Sequence, residues 1–245
     1  MSSLLHDATR MRLEGFAGRV AAVTGAGRGI GRRIVETLMA LGAKTAALDL
    51  EKPAIPGALG LNCDVTDPAQ IDHAFTEAEQ QLGPIEVLVL NAGIYIVEPF
   101  EKTTFASWRK TLSVNLDSAF LCAQRAIGGM RARGYGRIVA LGSSAGITGG
   151  KRNTAAYAAS KAGIMTLVKS IANEYGACGV VANAVAPALI RTPMIAGLPD
   201  MLGQIPVGRY GEVDDVAAIV AFLCSAHAAF ITGEIVDVTG GFLID

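Results

Sequence analysis

Only four cysteines occur in 245 residues, Cys63, Cys122, Cys178 and Cys224, and no two of them form a C-x-x-C pair. With no histidine at ligand spacing beside them, the pattern excludes a zinc ribbon and a disulfide framework; reduced, mostly buried thiols and no metal site are expected. An excess of charge is missing as well. Lysine and arginine number 21 against 22 acidic residues, a net of -1, so no bulk field draws in a nucleic-acid backbone or an anionic membrane. Long apolar runs are absent too. No stretch approaches the roughly 18 uninterrupted apolar residues of a membrane span, and "MSSLLHDATRMRLEGF" lacks the apolar core of a secretion signal. The expectation is a soluble cytoplasmic protein that binds neither nucleic acid nor membrane.

What the chain does have is alternation. Short runs rich in Val, Ile and Ala recur between longer amphipathic stretches, the mark of βα units and a parallel sheet. Seven strands are predicted near 19–25, 45–50, 59–65, 86–93, 136–143, 180–187 and 234–241. The fold class is therefore α/β, a doubly wound Rossmann-type sheet of seven parallel strands with helices on both faces. Between Asp49 and Asn62 the chain is too short for a covering helix and carries Pro53 and Pro56, so a loop is expected and thin cover on that face. No repeat, low-complexity tract or composition shift divides the rest. The organisation reads as an N-terminal arm over 1–15 and one catalytic domain over 16–245. Within it, "TPMIAGLPDMLGQIPVGR" (192–209), broken by Pro and Gly, is placed to be a substrate lid.

Gly25, Gly27, Gly29 and Gly31 follow the first strand and open the first helix. Without Cβ atoms the chain turns sharply and brings peptide N–H groups to a diphosphate, where the helix N-terminus adds about half a positive charge. Asp49 ends the next strand, 18 positions beyond Gly31, close to the roughly 20 expected for an acid that holds a ribose. A dinucleotide site is the reading, with Gly25, Arg28, Gly29, Ile30 and Gly31 in the loop. Asp49 also selects the cofactor: it would face the 2'-phosphate of NADP with a repulsion on the order of 4 kcal/mol at 4 Å and an effective dielectric of 20. NAD is favoured over NADP, although the Arg28 guanidinium argues the other way. Asp64 and Val65, ending the third strand, are candidates for the adenine amine and ring; capping of "TDPAQI" is the competing role for Asp64. Asn91, Ala92 and Gly93 end the fourth strand with small residues that let a cofactor pass.

"YAASK" puts Tyr157 and Lys161 at i and i+4 on one helical face. A phenol with a reference pKa near 10 is a poor base at pH 7 unless a cation stabilises the phenolate, and Lys161 is positioned to be that cation. "SVNL" and "LGSSAG" stand upstream, the latter at the end of the fifth strand. T-G-x-x-x-G-x-G over 24–31, N-A-G over 91–93, Asn115, the strand-end serine, Y-x-x-x-K and "ITGEIVDVTGG" occur in order from about Gly18 to the C-terminus. In these motifs the chain resembles the single-domain short-chain dehydrogenases/reductases.

That resemblance implies a catalytic tetrad of Asn115, Ser143, Tyr157 and Lys161. Tyr157 would move the proton between alcohol and carbonyl, Ser143 would hold the substrate oxygen, Lys161 would lower the tyrosine pKa and bind the nicotinamide ribose, and Asn115 would anchor a relay water. Counting forward from the strand as G-S-x-x-G selects Ser143; counting back the commonest family distance from Tyr157 selects Ser144. The forward count is preferred, because the strand end fixes the side chain. Pro187, Ile190 and Thr192 are expected beside the nicotinamide, with Ala188 standing where the family usually has glycine. Leu90 replaces the first asparagine of N-N-A-G.

Two enzymatic readings and one non-enzymatic reading follow. The first is an NAD-dependent secondary-alcohol dehydrogenase or ketone reductase acting on a small-molecule substrate. Tyr95, Ile96, Val97, Ile147, Met194, Ile195, Leu198 and Met201 give its pocket an apolar character. The second is a 3-oxoacyl-carrier-protein reductase, which expects NADPH and a basic docking patch. Arg131 and Arg133 offer part of one, while Asn173 sits where those reductases carry arginine. A non-catalytic dinucleotide-binding scaffold is the third, and the filled tetrad argues against it. The resemblance also implies a homotetramer packed through helices around 103–133 and 154–177.

Overall fold

The computed structural model describes residues 13–150, 153–195, 197 and 200–244. Seven parallel strands form one sheet in the order β3-β2-β1-β4-β5-β6-β7: β1 Val20–Thr24, β2 Lys44–Asp49, β3 Leu59–Asn62, β4 Ile85–Leu90, β5 Gly136–Leu141, β6 Val180–Pro187 and β7 Ile235–Val238. Every residue of β1, β5 and β6 is buried, as expected of parallel strands covered on both faces. The helices are α1 Gly29–Ala40, α2 Pro68–Leu82, α3 Phe105–Leu112, α4 Ser118–Arg133, α5 Ser144–Thr148, α6 Ala155–Tyr175 and α7 Val213–Cys224.

Local chemistry sets their ends. Asp67 caps α2 by accepting from the N–H groups of Ala69 and Gln70 at 2.9 and 3.4 Å, with Pro68 at the first helical position. Glu212 and Asp215 close a reciprocal capping box on α7. Gly134, at φ +67°, stops α4.

Two apolar cores result, one on each face of the sheet. One packs Phe75, Ile71, Met130, Ile164 and Val168 from α2, α4 and α6 against the sheet. The other packs Ile34, Leu38, Val216, Val220 and Leu223 from α1 and α7, joined by Phe16. Cys63, Cys122 and Cys224 are buried, and burial pushes their thiols up, Cys63 to about 11 and Cys224 to about 12. As expected, no helix spans the link from β2 to β3; Ile55 tucks into the second core while Leu50 stays 64% exposed.

Of the expected arm, residues 1–12 lie outside the described residues. The remainder docks on the chain itself, since the Glu14 carbonyl accepts from the Ala226 N–H at 2.9 Å. The strand order reverses direction between β1 and β4, and in such sheets the crevice at the C-terminal strand ends is where ligands bind. No helix among the described residues is long and apolar enough to cross a membrane.

Candidate active site

The glycine loop is clamped before any ligand arrives. The Thr24 hydroxyl, at the end of β1, accepts from the Asn91 and Ala92 N–H groups at 3.0 and 3.1 Å. The Asn91 amide donates back to the Thr24 and Gly25 carbonyls at 3.0 and 2.8 Å. A Cβ on Gly31 would run into the Gly25 carbonyl and that same amide. Asn91 therefore ties β4 to the loop instead of facing a cofactor with its side chain. Asp49 does something similar from β2: its Oδ2 accepts from the Gly27 N–H at 2.8 Å and its Oδ1 from the Leu50 N–H at 2.8 Å. A side chain on Gly27 would press on that oxygen, its Cβ only 2.9 Å away. Thr24 and Gly27 stood in the glycine motif, but no sequence signal pointed to their partners Asn91 and Asp49.

This cradle fits a dinucleotide. Its glycines leave backbone N–H groups approachable at the start of α1, and one carboxylate stands at the neighbouring strand end. Gly25 and Gly29 hold φ of +64° and +56°, in the left-handed region that side-chain-bearing residues avoid. Arg28, the residue before α1, is exposed and forms no ion pair among the described residues. Ile30 packs against the α1–α7 core.

At the third strand the expectations divide. Asp64 uses Oδ1 to accept from the N–H and hydroxyl of Thr66 at 2.9 and 2.7 Å, a local turn, and the helix cap falls to Asp67 instead. Val65 is 7% exposed and packed in the core, so it offers little flat surface to an adenine ring. The pattern could not show this, because a strand-end valine reads alike whether it faces in or out.

The reacting end gathers side chains from four elements. Asn115 sits in a π-helical turn, Ser113–Asp117, between α3 and α4; such turns are frequent at functional sites. It is fully engaged: Oδ1 accepts from the Ile94 N–H at 2.8 Å, and Nδ2 donates to the Ile94 carbonyl at 3.1 Å and to Ser160 Oγ at 2.9 Å. Ser160 in turn donates to the Tyr157 carbonyl at 2.7 Å. Ser143 caps α5, accepting from the Ala145 N–H at 3.1 Å, and it favours ionisation of the Tyr157 phenol. Ser144 lines the same cleft, but Ser143 is the serine that acts on the phenol.

Lys161 is 4% exposed and donates to the Leu141 carbonyl at 2.5 Å, with Nζ 5.8 Å from the centre of the Tyr157 ring. Burial lowers its pKa to about 8. Burial also pushes the Tyr157 phenol up, opposed by its bond to Ser143 and reinforced by Tyr95. The lysine stands near the ring, and its ammonium donates a hydrogen bond to the carbonyl at the end of β5.

Between these groups lies a cleft whose empty space, its open mouth included, is about 640 Å³. Tyr95, Met194, Ile195 and Met201 line it as expected, together with Ala188, Leu189 and Phe242. Val97 and Ile147 are instead 51% and 41% exposed, Ile96 is not part of the lining, and Leu198 lies outside the described residues. Phe242, from beyond β7, carried no sequence signal. Among the described residues of 192–209 are two short turns, Pro193–Ile195 and Leu202–Gln204, and Met194 and Met201 line the cleft. Pro187, ending β6, accepts from Ser143 Oγ at 3.5 Å. Ile190 is buried, and its carbonyl accepts from the Thr192 hydroxyl at 3.3 Å. Thr192 lies across from the glycine loop, its methyl 3.7 Å from where a Gly29 Cβ would be, so the two halves of the crevice meet there. Gly93 lies between Asn115 and Lys161. Among the described residues no His, Cys, Asp or Glu cluster could hold a metal ion.

The family model described as enoyl-(acyl carrier protein) reductase matches residues 25–243. The 3-oxoacyl-[acyl-carrier-protein] reductase MabA of Mycobacterium tuberculosis H37Rv is 41% identical over 231 residues, 92% of this chain and 93% of the relative. FabG of Escherichia coli K12, named as the same kind of reductase, is 40% identical over 239 residues, 92% and 98% of the two chains. Among solved structures, a levodione reductase superposes with a TM-score of 0.88 at 34% identity, covering 93% of this chain and 98% of its own. A putative gluconate dehydrogenase from Agrobacterium tumefaciens gives 0.86 at 30%, with 93% and 96% covered. With sheet order, glycine cradle and Tyr157–Lys161 helix all in agreement, the chain belongs to the short-chain dehydrogenase/reductase family and is an oxidoreductase of that family.

Proposed function

We propose that the chain reduces the keto group of a 3-oxoacyl thioester, taking its hydride from NADH in preference to NADPH. The observation that carries the reduction chemistry is that Ser143 and Tyr157 line one largely apolar cleft, with Ser143 favouring the ionised form of the phenol. The named relatives favour the 3-oxoacyl class over a simple secondary alcohol, reversing the order the residues alone suggested.

The nicotinamide, when bound, supplies hydride to the carbonyl carbon. Ser143 holds the carbonyl oxygen, and Tyr157 hands it a proton as charge develops there, a role typically worth 10²–10⁴-fold. At pH 7 a Lys161 with a pKa near 8 is largely protonated, so it keeps a positive charge beside the ring. Asn115 fixes Ile94 and, through Ser160, the backbone of Tyr157, which holds the phenol in reach. Gly25, Gly29 and Gly31 would receive the diphosphate and Asp49 the adenosine ribose.

A second reading, an alcohol dehydrogenase or reductase of free ketones, has its own support. Arg133 donates to the Ile85 carbonyl at 2.6 Å, so one arginine of the expected carrier-protein patch is engaged within the chain, and Asn173 is exposed without charge. A homotetramer fits the exposed Phe105 and Phe120 on α3 and α4, and 16–245 is proposed as a single catalytic domain in the cytoplasm. The test is a rate screen with 3-oxoacyl thioesters and free cyclic or linear ketones, each with NADH and NADPH. Faster turnover of thioesters supports the first reading; turnover of free ketones alone supports the second. Tight dinucleotide binding with no turnover on any substrate leaves only a scaffold.

A further inference from the structure

Tyr95 is the aromatic side chain nearest the reacting phenol, and nothing in the motifs points to it. Its ring stands edge-on to the Tyr157 ring, with centres 4.8 Å apart and planes at 89°. In that arrangement the positive edge of one ring meets the negative face of the other, worth about 0.5–1.5 kcal/mol beyond burial. Tyr95 lines the cleft together with Ser143 and Tyr157. The backbone just before it is held from both sides: Asn115 accepts from the N–H of Ile94 and donates to its carbonyl. One asparagine therefore anchors both tyrosines, Tyr95 through Ile94 and Tyr157 through Ser160.

We propose that Tyr95 is a positioning and specificity-determining residue, whose ring keeps the Tyr157 hydroxyl turned to Ser143 and walls one side of the ketone site. This rests on the reading of Tyr157 as the proton donor. A phenol ring turns freely about its axis and swings about its Cα–Cβ bond unless packed, and a displaced reacting group loses rate steeply. Met194, Ile195 and Met201 line the rest of the same cleft. Methionines adapt to many shapes; a ring pinned through Ile94 does not. Bulk on the ketone is therefore restricted on the Tyr95 side and tolerated on the methionine side.

The titratable groups facing the Tyr157 ring are Tyr95 and Lys161, and Tyr95 is one of the two influences that raise the phenol. Removing it admits water, so the Tyr157 pKa falls. Ketone reduction needs the protonated phenol, and its alkaline limb should move to lower pH. Three variants test this. In Tyr95→Leu, kcat should drop about tenfold, the alkaline limb should shift down, and ketones branched beside the carbonyl should gain relative to slim ones. Tyr95→Phe keeps the ring and should restore the rate and the preference, while the limb returns only in part because the hydroxyl's own influence is gone. If Tyr95→Leu fails to fold by circular dichroism, Tyr95→Met takes its place. An unchanged limb and unchanged preference in the leucine or methionine variant overturns the proposal, as does a phenylalanine variant that behaves like leucine. Ultraviolet titration of the phenols, with Tyr157→Phe to identify its signal, reads the same shift without turnover. Should the unvaried protein reduce no ketone at all, that titration still decides the role of Tyr95 while the proposed function alone falls.

Discussion

The two ends of the crevice are built on opposite principles. At the glycine loop, polar groups are satisfied by one another: Asn91 at the end of β4 bonds Thr24 and Gly25, and Asp49 at the end of β2 bonds Gly27. At the reacting end, Lys161 is buried with one carbonyl as its hydrogen-bond partner, and burial pushes the phenol of Tyr157 up, toward the protonated form that ketone reduction uses. The first end resembles a rigid socket that is stable with nothing in it. The second holds groups in an unfavourable environment, which is how active sites bring pKa values toward their task at a cost in stability.

The sharpest way to break this contrast is to remove the proton donor. Tyr157→Phe should cost 10²–10⁴-fold in kcat while dinucleotide affinity, measured by fluorescence titration, stays near that of the unvaried protein. More than a tenth of the activity surviving would mean that another group moves the proton. A loss of affinity as large as the loss of rate would mean the two ends are not separate.

Next in size is the stability held back by Lys161. Its folded pKa of about 8 lies below the ordinary lysine value of 10.5, so between those values the unfolded chain binds more protons than the folded one. Stability then rises with pH through that window, and below it the full penalty of a buried ammonium applies, on the order of 3 kcal/mol. Lys161→Met removes the charge at similar length. It should abolish turnover yet raise the urea midpoint at pH 7, with the gain shrinking as pH approaches 10. A variant less stable than the unvaried protein at pH 7 would show that the bond to Leu141 outweighs the burial.

The contrast also explains what the sequence could show. The seven parallel strands, the helix-free link to β3, the glycine loop and the shared helix of Tyr157 and Lys161 were readable because alternation, proline, glycine and i,i+4 spacing leave local marks. The partners were not. Asn91 read as a small residue that lets a cofactor pass, yet its amide holds the Gly25 carbonyl; Val65 read as an adenine contact, yet it faces the core. Lys161 was expected to govern the phenol from one turn away, but a helix fixes only which face two residues share. How far along β5 the ammonium reaches depends on packing between α6 and the sheet. Phe242 reaches the cleft from a segment that no periodicity connects to it.

The smallest effect belongs to the socket, and Asp49 bears two roles there that a single substitution can separate. As a loop clamp, its Oδ2 holds the Gly27 N–H; as a discriminator, its charge would oppose a 2'-phosphate. The acid is partly exposed, so solvent screening reduces the close-range repulsion to roughly 1–2 kcal/mol, about tenfold in the ratio of kcat/KM with NADPH to that with NADH. Asp49→Ser should raise that ratio about tenfold, mostly by recovering NADPH, with Arg28 free to meet the added phosphate. If both cofactors weaken together and the ratio holds, the carboxylate acts as a clamp alone. The selectivity would then reside in Arg28, and Arg28→Ala would move the ratio the opposite way.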